Sequence, residues 1–212
     1  MIKLTHGKIR GFLAKYATGA HTLDIGATSG EHKDYFPDSI AVDIDPARKP
    51  DVLGDAHRLP FPDGSFERVV CAEMLEHADD PRQVVEEIHR VLAPGGLALL
   101  TTRFAFPVHD APGDYWRFTP YGLRKLFHRF EIVEAAGDSG PFYALGVQLQ
   151  RIFFQSDVRG GKVTKGLLYL LALLFSRMDW LVVRSYGDIN RSAPEDHLLS
   201  GGVFIAARKR VS

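Results

Sequence analysis

Short apolar runs alternate along this chain with stretches of helical period, the order expected of strand–helix units laid on a parallel sheet. Seven runs read as strands: 21–25, 40–43, 51–53, 68–71, 97–101, 131–135 and 203–207. The clearest helix follows Asp80, a capping residue; Pro81 suits the first helical position and Gln83 completes a capping box. Val84, Val85, Ile88, Val91 and Leu92 form its apolar stripe, and Ala-Pro-Gly-Gly at 93–96 stops it. A second helix opens at Thr119-Pro120 and turns Leu123, Leu126 and Phe127 inward. Near the N-terminus, Ile9, Phe12, Leu13 and Tyr16 fall on one face of a short amphipathic helix. The rhythm breaks over 141–197, which has apolar and amphipathic material but no strand signal. This predicts a helical insertion before the last strand, packed over the sheet or over the mouth of a site.

The totals narrow the class. With 212 residues the chain fits one domain, 1–212, with a sizeable core, and two would be cramped. Its 26 basic residues equal its 26 acidic ones, so no net field draws in polyanions, and a nucleic-acid partner is disfavoured. The single cysteine, Cys71, has no internal disulfide partner, which fits a reducing cytoplasm. The first residues lack the apolar run and cleavage site of a secretory signal. The stretch 166–176 is almost wholly apolar, but Arg177 and Asp179 follow at once, so it is too short to cross a bilayer.

Candidate chemistry begins at 22–30, where an apolar strand runs through Asp24 into a loop of small residues. Gly26 and Gly30 there permit backbone conformations and close approaches that side chains would block. In an open parallel sheet the ligand crevice lies at the carboxyl ends of the strands, where this loop belongs. Alone, two glycines equally describe a tight strand-to-helix turn. The next acid changes the balance. Asp43 ends the second strand about twenty residues on, where a carboxylate can accept both ribose hydroxyls of a nucleoside. Ile44 is placed to lie against an adenine face, and Asp55 beside Ala56 to accept from its amino group. The G-x-G-x-x-G spacing of the dinucleotide oxidoreductases is absent.

In its stretches 24–30, 42–46, 54–66, 73–81 and 90–96, the chain resembles the class I S-adenosylmethionine-dependent methyltransferases of the type 11 methyltransferase-domain family. The ordered pattern is a glycine loop, a ribose acid, GDAHRLPFPDGSFERVV, EMLEHADDP and RVLAPGG. The resemblance implies an α/β, Rossmann-like doubly wound sheet of seven strands, mostly parallel with a reversed last strand. It implies S-adenosyl-L-methionine as cofactor. Asp24, Gly26 and Gly30 then hold the methionine end, Asp43 the ribose, Ile44, Asp55 and Ala56 the adenine, and the Cys71 backbone lies near the methionine. Thr28 stands where the family usually has a third glycine, crowding the cofactor or donating a hydrogen bond to its carboxylate.

Acceptor groups are expected on the loops after the fourth and fifth strands. Glu73, Glu76 and His77 fall within one helical turn after the fourth. After the fifth comes His109, in a proline-flanked loop where an imidazole can take a hydroxyl proton. Tyr115 and Arg117 are candidates to bind a polar acceptor, with Trp116 and Phe118 packing the loop. The H…P.DYWRFT..GL pattern of 109–123 resembles methyltransferases of glycan and polysaccharide assembly, which implies a sugar or another small hydroxylated acceptor. The main reading takes no metal. The E-x-x-E-H form of 73–77 also resembles metal-dependent methyltransferases of the ubiquinone pathway and of small-RNA ends. That resemblance implies Glu73, Glu76 and His77 around a divalent cation with His109 as fourth ligand, although Gly113 stands near where those relatives carry a further histidine. The residues are also compatible with a non-catalytic cofactor-binding member of the fold. Peripheral membrane contact is open too, through a helix over 166–184 flanked by Lys162, Lys165 and Arg184. The sequence is silent on oligomeric state and on whether the acceptor atom is O, N or C.

Overall fold

The structure, a computed structural model, describes residues 4–211. All seven predicted strands form: β1 (Thr22–Ile25), β2 (Ser39–Asp43), β3 (Val52–Leu53), β4 (Phe66–Ala72), β5 (Leu92–Arg103), β6 (Phe130–Gly137) and β7 (Gly202–Lys209). They make one sheet in the order β3-β2-β1-β4-β5-β7-β6. Neighbours from β3 to β5 are parallel, while β7 runs antiparallel to both β5 and β6, giving the reversed last strand.

Successive strand residues point to opposite faces, and both faces are covered, so the central strands read as unbroken apolar runs. Val69, Cys71, Ala98 and Leu100 join one core with Val84, Val85, Ile88 and Val91 of α2 (Pro81–Val91) and Leu123 of α3 (Pro120–Leu126). Val70, Leu97, Leu99 and Ala206 face the other way, against Phe12 and Leu13 of α1 (Leu4–Lys15), with Ile9 and Tyr16 packed alongside. Phe12 stacks on Phe204 at 4.8 Å.

The local helix signals stand, with two corrections. Asp80 caps α2 by accepting from Arg82 N and Gln83 N, and Thr119 caps α3 by accepting from Gly122 N. The reciprocal arm of the capping box is not made. Gln83 Nε2 donates to His57 O, and Asp80 N donates to His57 Nε2, so a distant histidine does the work assigned to Gln83. Nor does a helix follow β1. Residues 29–35 form consecutive turns, with Glu31 N on Thr28 O and Tyr35 N on His32 O, before Pro37 and β2 cut the segment off.

Between β6 and β7 lies the expected helical insertion, a hairpin of α4 (Pro141–Gln155) and α5 (Gly161–Phe175). The predicted helix over 166–184 is not continuous: α5 ends at Phe175 and only a 3-10 turn, Asp179–Leu181, follows. α4 has no side-chain cap of its own at Gly140; Asp179 accepts from Gly140 N and Tyr143 N instead. Tyr143 Oη donates to Leu4 O, tying α4 to the start of α1. Among the described residues, no helix is long and apolar enough to cross a membrane.

Candidate active site

Sheet register brings the predicted site residues to one edge. Ile25 pairs with Val42 on one side and Cys71 on the other, and Cys71 pairs with Leu100. The loops after β1, β2, β4 and β5 therefore leave the sheet together, around the point where strand order reverses at β1. Gly26 N donates to Val42 O, and Gly54 N donates to Asp43 O. Gly26 has φ +77°, and a Cβ there would lie 2.7 Å from Met74 Cγ, so only glycine fits between this turn and the residue after Glu73. Gly30 is also left-handed, at φ +83°.

Within the first loop, Asp24 is buried and its Oδ2 lies 2.8 Å from His32 Nδ1. Its Oδ1 is buried without a hydrogen-bond partner. Burial raises the Asp24 pKa, against the hydrogen bond and charge of His32. His32 is also raised: burial opposes its charged form, but the Asp24 hydrogen bond and charge outweigh it. Thr28 N donates to Glu31 Oε2, so the residue in place of a glycine is held by its own turn. Asp43 is nearly buried; its Oδ1 accepts from Asp45 N at 2.7 Å, and Arg48 Nε stands 3.4 Å from Oδ2. Ile44 is 70% exposed at the strand end. Asp55 accepts from His57 N and pairs with its Nδ1 at 2.7 Å, with Ala56 half-buried beside it. Cys71 is fully buried, and burial pushes its thiol well above the usual range.

The loops after β4 and β5 form a second, denser cluster. Glu73 has φ +55°, unusual for a residue with a side chain and a small backbone strain held at the crevice. Its carboxylate accepts from Thr101 Oγ1 at 2.8 Å and pairs with Arg103. Glu76 is wholly buried; Oε2 accepts from Thr102 Oγ1 at 2.7 Å, while Oε1 has no hydrogen-bond partner. Burial raises both glutamates, Glu73 to about 7, with Arg103 pulling it back down and Glu76 pushing it further up. His77 and His109 meet edge to face at 4.9 Å, with His77 Nδ1 2.6 Å from Gly113 O. His109 Nε2 lies 4.0 Å from Glu76 Oε1, and Nδ1 lies 3.3 Å from Asp114 Oδ2 without forming a hydrogen bond. Burial lowers the His109 pKa, so its ring stays neutral to lower pH than an ordinary histidine.

Backbone bonds fix this arrangement. Tyr115 N and Trp116 N both donate to Glu76 O, and Trp116 Nε1 donates to Ala78 O. Asp114 accepts from His109 N and from both terminal nitrogens of Arg117, which hold its carboxyl well below the usual range. Arg117 also donates to Phe106 O and Pro107 O. Its guanidinium thus braces the loop rather than standing free for a ligand, whereas Tyr115 is exposed. Sequence reasoning missed His32, Arg103 and Asp114. The signals available were the polar Thr-Thr-Arg ending an apolar strand at 101–103 and the Asp-x-x-Arg spacing at 114–117.

The family described as "Methyltransferase domain" matches residues 23–100, the span from β1 into β5. A demethylmenaquinone methyltransferase from Paenarthrobacter aurescens is 32% identical over 51% of this chain and 47% of its own length. A chloroplastic 2-methyl-6-phytyl-1,4-hydroquinone methyltransferase from Oryza sativa is 43% identical over 54% of this chain and 36% of its own. The chain thus spans about half or less of the curated relatives it matches. Among solved structures, the [4+2]-cyclase SpnF has a TM-score of 0.61 at 18% identity, covering 97% of this chain and 82% of that one. A cyclase on this fold shows that architecture alone does not name the reaction. Residues 23–100 thus carry the methyltransferase-domain pattern, on the seven-stranded Rossmann-like sheet of the class I S-adenosylmethionine-dependent methyltransferases.

Proposed function

We propose that the chain transfers a methyl group from S-adenosyl-L-methionine to a hydroxyl of a small acceptor, with His109 as general base. The observation that carries this reading is the shared edge: the glycine loop, Asp43 and the His109 cluster all open where β1, β2, β4 and β5 end. When bound, the cofactor supplies an electrophilic methyl on a sulfonium sulfur. Asp43 offers Oδ2 to the ribose hydroxyls, Ile44 an exposed face to the adenine, and Asp55 beside Ala56 an acceptor for its amino group. Gly26, Thr28 and Gly30 surround the methionine end, where the unpartnered Oδ1 of Asp24 suits an ammonium group. His109 Nε2, held at the acceptor side of the crevice, would take the proton of the acceptor hydroxyl as that oxygen receives the methyl group. The Asp114 carboxylate near Nδ1 then stabilises the imidazolium. Alignment of the two partners supplies much of the remaining acceleration.

The names of the two relatives specify a demethylmenaquinone and a phytyl hydroquinone, while the 109–123 pattern resembles glycan-assembly enzymes. Of these, the hydroquinone and the sugar carry ring hydroxyls, and the acceptor proposed is a hydroxylated ring of one of these two kinds, with Tyr115 at its rim. Cys71, buried and unpaired, suits a reducing cytoplasm. The test is transfer of labelled methyl to a panel of both classes. His109→Ala is expected to lower kcat by roughly 10²–10⁴-fold with cofactor affinity unchanged. Full transfer in that variant, or methylation confined to protein or nucleic acid, rejects the reading.

One observation favours a second, metal-assisted reading. Glu76, His77 and His109 offer ligand atoms within 4.8 Å of one another, and Glu76 Oε1 is buried without a hydrogen-bond partner. Gly113 O orients His77 through Nδ1 and leaves Nε2 free, the arrangement of a ligating imidazole. Glu73 does not fit such a set, because Arg103 and Thr101 hold its carboxylate. The Arg103 guanidinium, 3.9 Å from Glu76 Oε1, opposes a cation there. Bound by Glu76, His77 and His109, a divalent ion would polarise the acceptor hydroxyl. Transfer abolished by EDTA and restored by magnesium or zinc supports this version; transfer indifferent to both rejects it.

A further inference from the structure

The α4–α5 hairpin shows one side to the protein and the other to solvent. α4 lies along the acceptor loop: Gln148 Nε2 donates to Ala105 O, Gln155 Nε2 donates to Val108 O, and Arg151 sits over the Phe106 ring at 4.3 Å. α5 packs onto α4 so closely that a Cβ at Gly146 would lie 2.7 Å from Ala172 O. Ala172 is the one fully buried side chain of α5. On the far side Val163, Leu167, Leu170 and Leu174 are exposed, at i, i+4, i+7 and i+11, a single helical stripe. The chain then continues through Trp180, 77% exposed, and Val183, 97% exposed. A contiguous apolar face of this kind marks an interaction surface.

The surrounding charges select its partner. Residues 157–184 carry five basic side chains, Arg159, Lys162, Lys165, Arg177 and Arg184, against two acidic ones, in a chain of zero net charge. Of those acids, Asp157 lies 3.7 Å from Lys165, and Asp179 caps α4. Arg159 and Lys162 precede the stripe, Arg177 follows it, and none of the three forms an ion pair among the described residues. A second copy pairing face to face would set these like charges against one another. A soluble polyanion would satisfy the cations but not the leucines. An anionic bilayer satisfies both, taking apolar side chains among its acyl chains and basic ones among its headgroups. With 15 residues, α5 is about 22 Å long, suited to lying flat rather than crossing.

We propose that the outward face of α5, continued by Trp180 and Val183, binds the surface of anionic membranes. α4 then lies between the bilayer and the loop that carries His109, which holds the acceptor side of the crevice beside the lipid. This surface is independent of what the acceptor is.

Vesicle flotation of the full chain tests it, with phosphatidylcholine alone and with about a quarter phosphatidylglycerol. The wild type is expected to float with the anionic vesicles, less so in high salt, with a blue shift in tryptophan emission that Trp180→Phe removes. Replacing Lys162 and Arg177 by Gln should weaken partitioning by about five-fold per residue. Leu167→Ser with Leu170→Ser should abolish flotation while leaving cofactor binding and the melting transition intact, because both side chains already face solvent. The proposal is overturned if the wild type stays unbound to both vesicle types, or if the leucine variant floats as well as the wild type. It is equally overturned if, without flotation, light scattering finds a concentration-dependent dimer that this variant loses, which assigns the face to a second copy.

Discussion

Glu73, partly buried, and Glu76, wholly buried, share a single guanidinium, that of Arg103, and so cannot both be ionised cheaply. Burial is the larger force on Glu73 and raises it to about 7. In the unfolded chain it returns to about 4.5, so between those values the folded state binds more protons than the unfolded one. Stability from this group is therefore full below about pH 4.5 and is lost as pH rises through about 7. Glu73→Gln, which mimics the protonated form, lacks that loss. Urea unfolding at pH 5 and pH 8 should show the wild type weakening relative to the variant by on the order of 1–3 kcal/mol. A gap that is constant, or that moves the other way, would mean Arg103 keeps Glu73 ionised throughout. Nothing in the sequence announced this pairing. Glu73 and Arg103 meet only because β4 and β5 align Ala72 with Thr101.

Elements were legible where burial or local chemistry dictates them. Strands covered on both faces appear as apolar runs, and Asp80-Pro81 and Thr119-Pro120 carry their helix starts in the residues themselves. The illegible cases need a partner from elsewhere. His57 replaces Gln83 at the α2 cap, and Gly140 is glycine because a Cβ there would lie 2.6 Å from Asp179 Cγ. Asp179 supplies the α4 cap from beyond α5, so one carboxylate locks both ends of the hairpin. Asp179→Ala is expected to cost about 1–2 kcal/mol, the usual worth of a lost cap, and Asp179→Asn much less. The location of the damage matters more than its size: limited trypsin digestion should cut faster at Arg177 and Arg184 in the Ala variant. An unchanged digestion pattern would mean that packing against α4 alone holds the segment.

At the scale of the molecule, the sheet order gathers the candidate residues, and the proposed cofactor half could be located from sequence because it is local to strand ends. The position of Asp43 beside the glycine loop followed from its distance along the chain, since spacing along two adjacent parallel strands translates directly into proximity at their ends. The acceptor half depends on loops folding back on each other, as Tyr115 and Trp116 do onto Glu76, and a sequence pattern does not show that. The cofactor half consequently permits the sharper whole-molecule prediction. A ligand that binds only the folded state stabilises it by RT ln(1 + [L]/Kd), about 2.7 kcal/mol at a hundred times Kd. For a chain of 212 residues this should raise the melting temperature by roughly 5–10 °C. S-adenosylmethionine and S-adenosylhomocysteine should both do so, with a shift that grows with the logarithm of concentration. In Asp43→Ala the unliganded transition should fall by only a few degrees, the loss of the bond from Asp45 N. Over the same concentrations, however, the ligand-dependent shift should largely vanish. An equal shift in both proteins would remove Asp43 from the ribose site while leaving the cofactor assigned. A wild type that melts at one temperature whatever the ligand concentration would instead place Thr28 and the turns after β1 among the reasons the loop does not bind, and would favour a non-catalytic role for the fold.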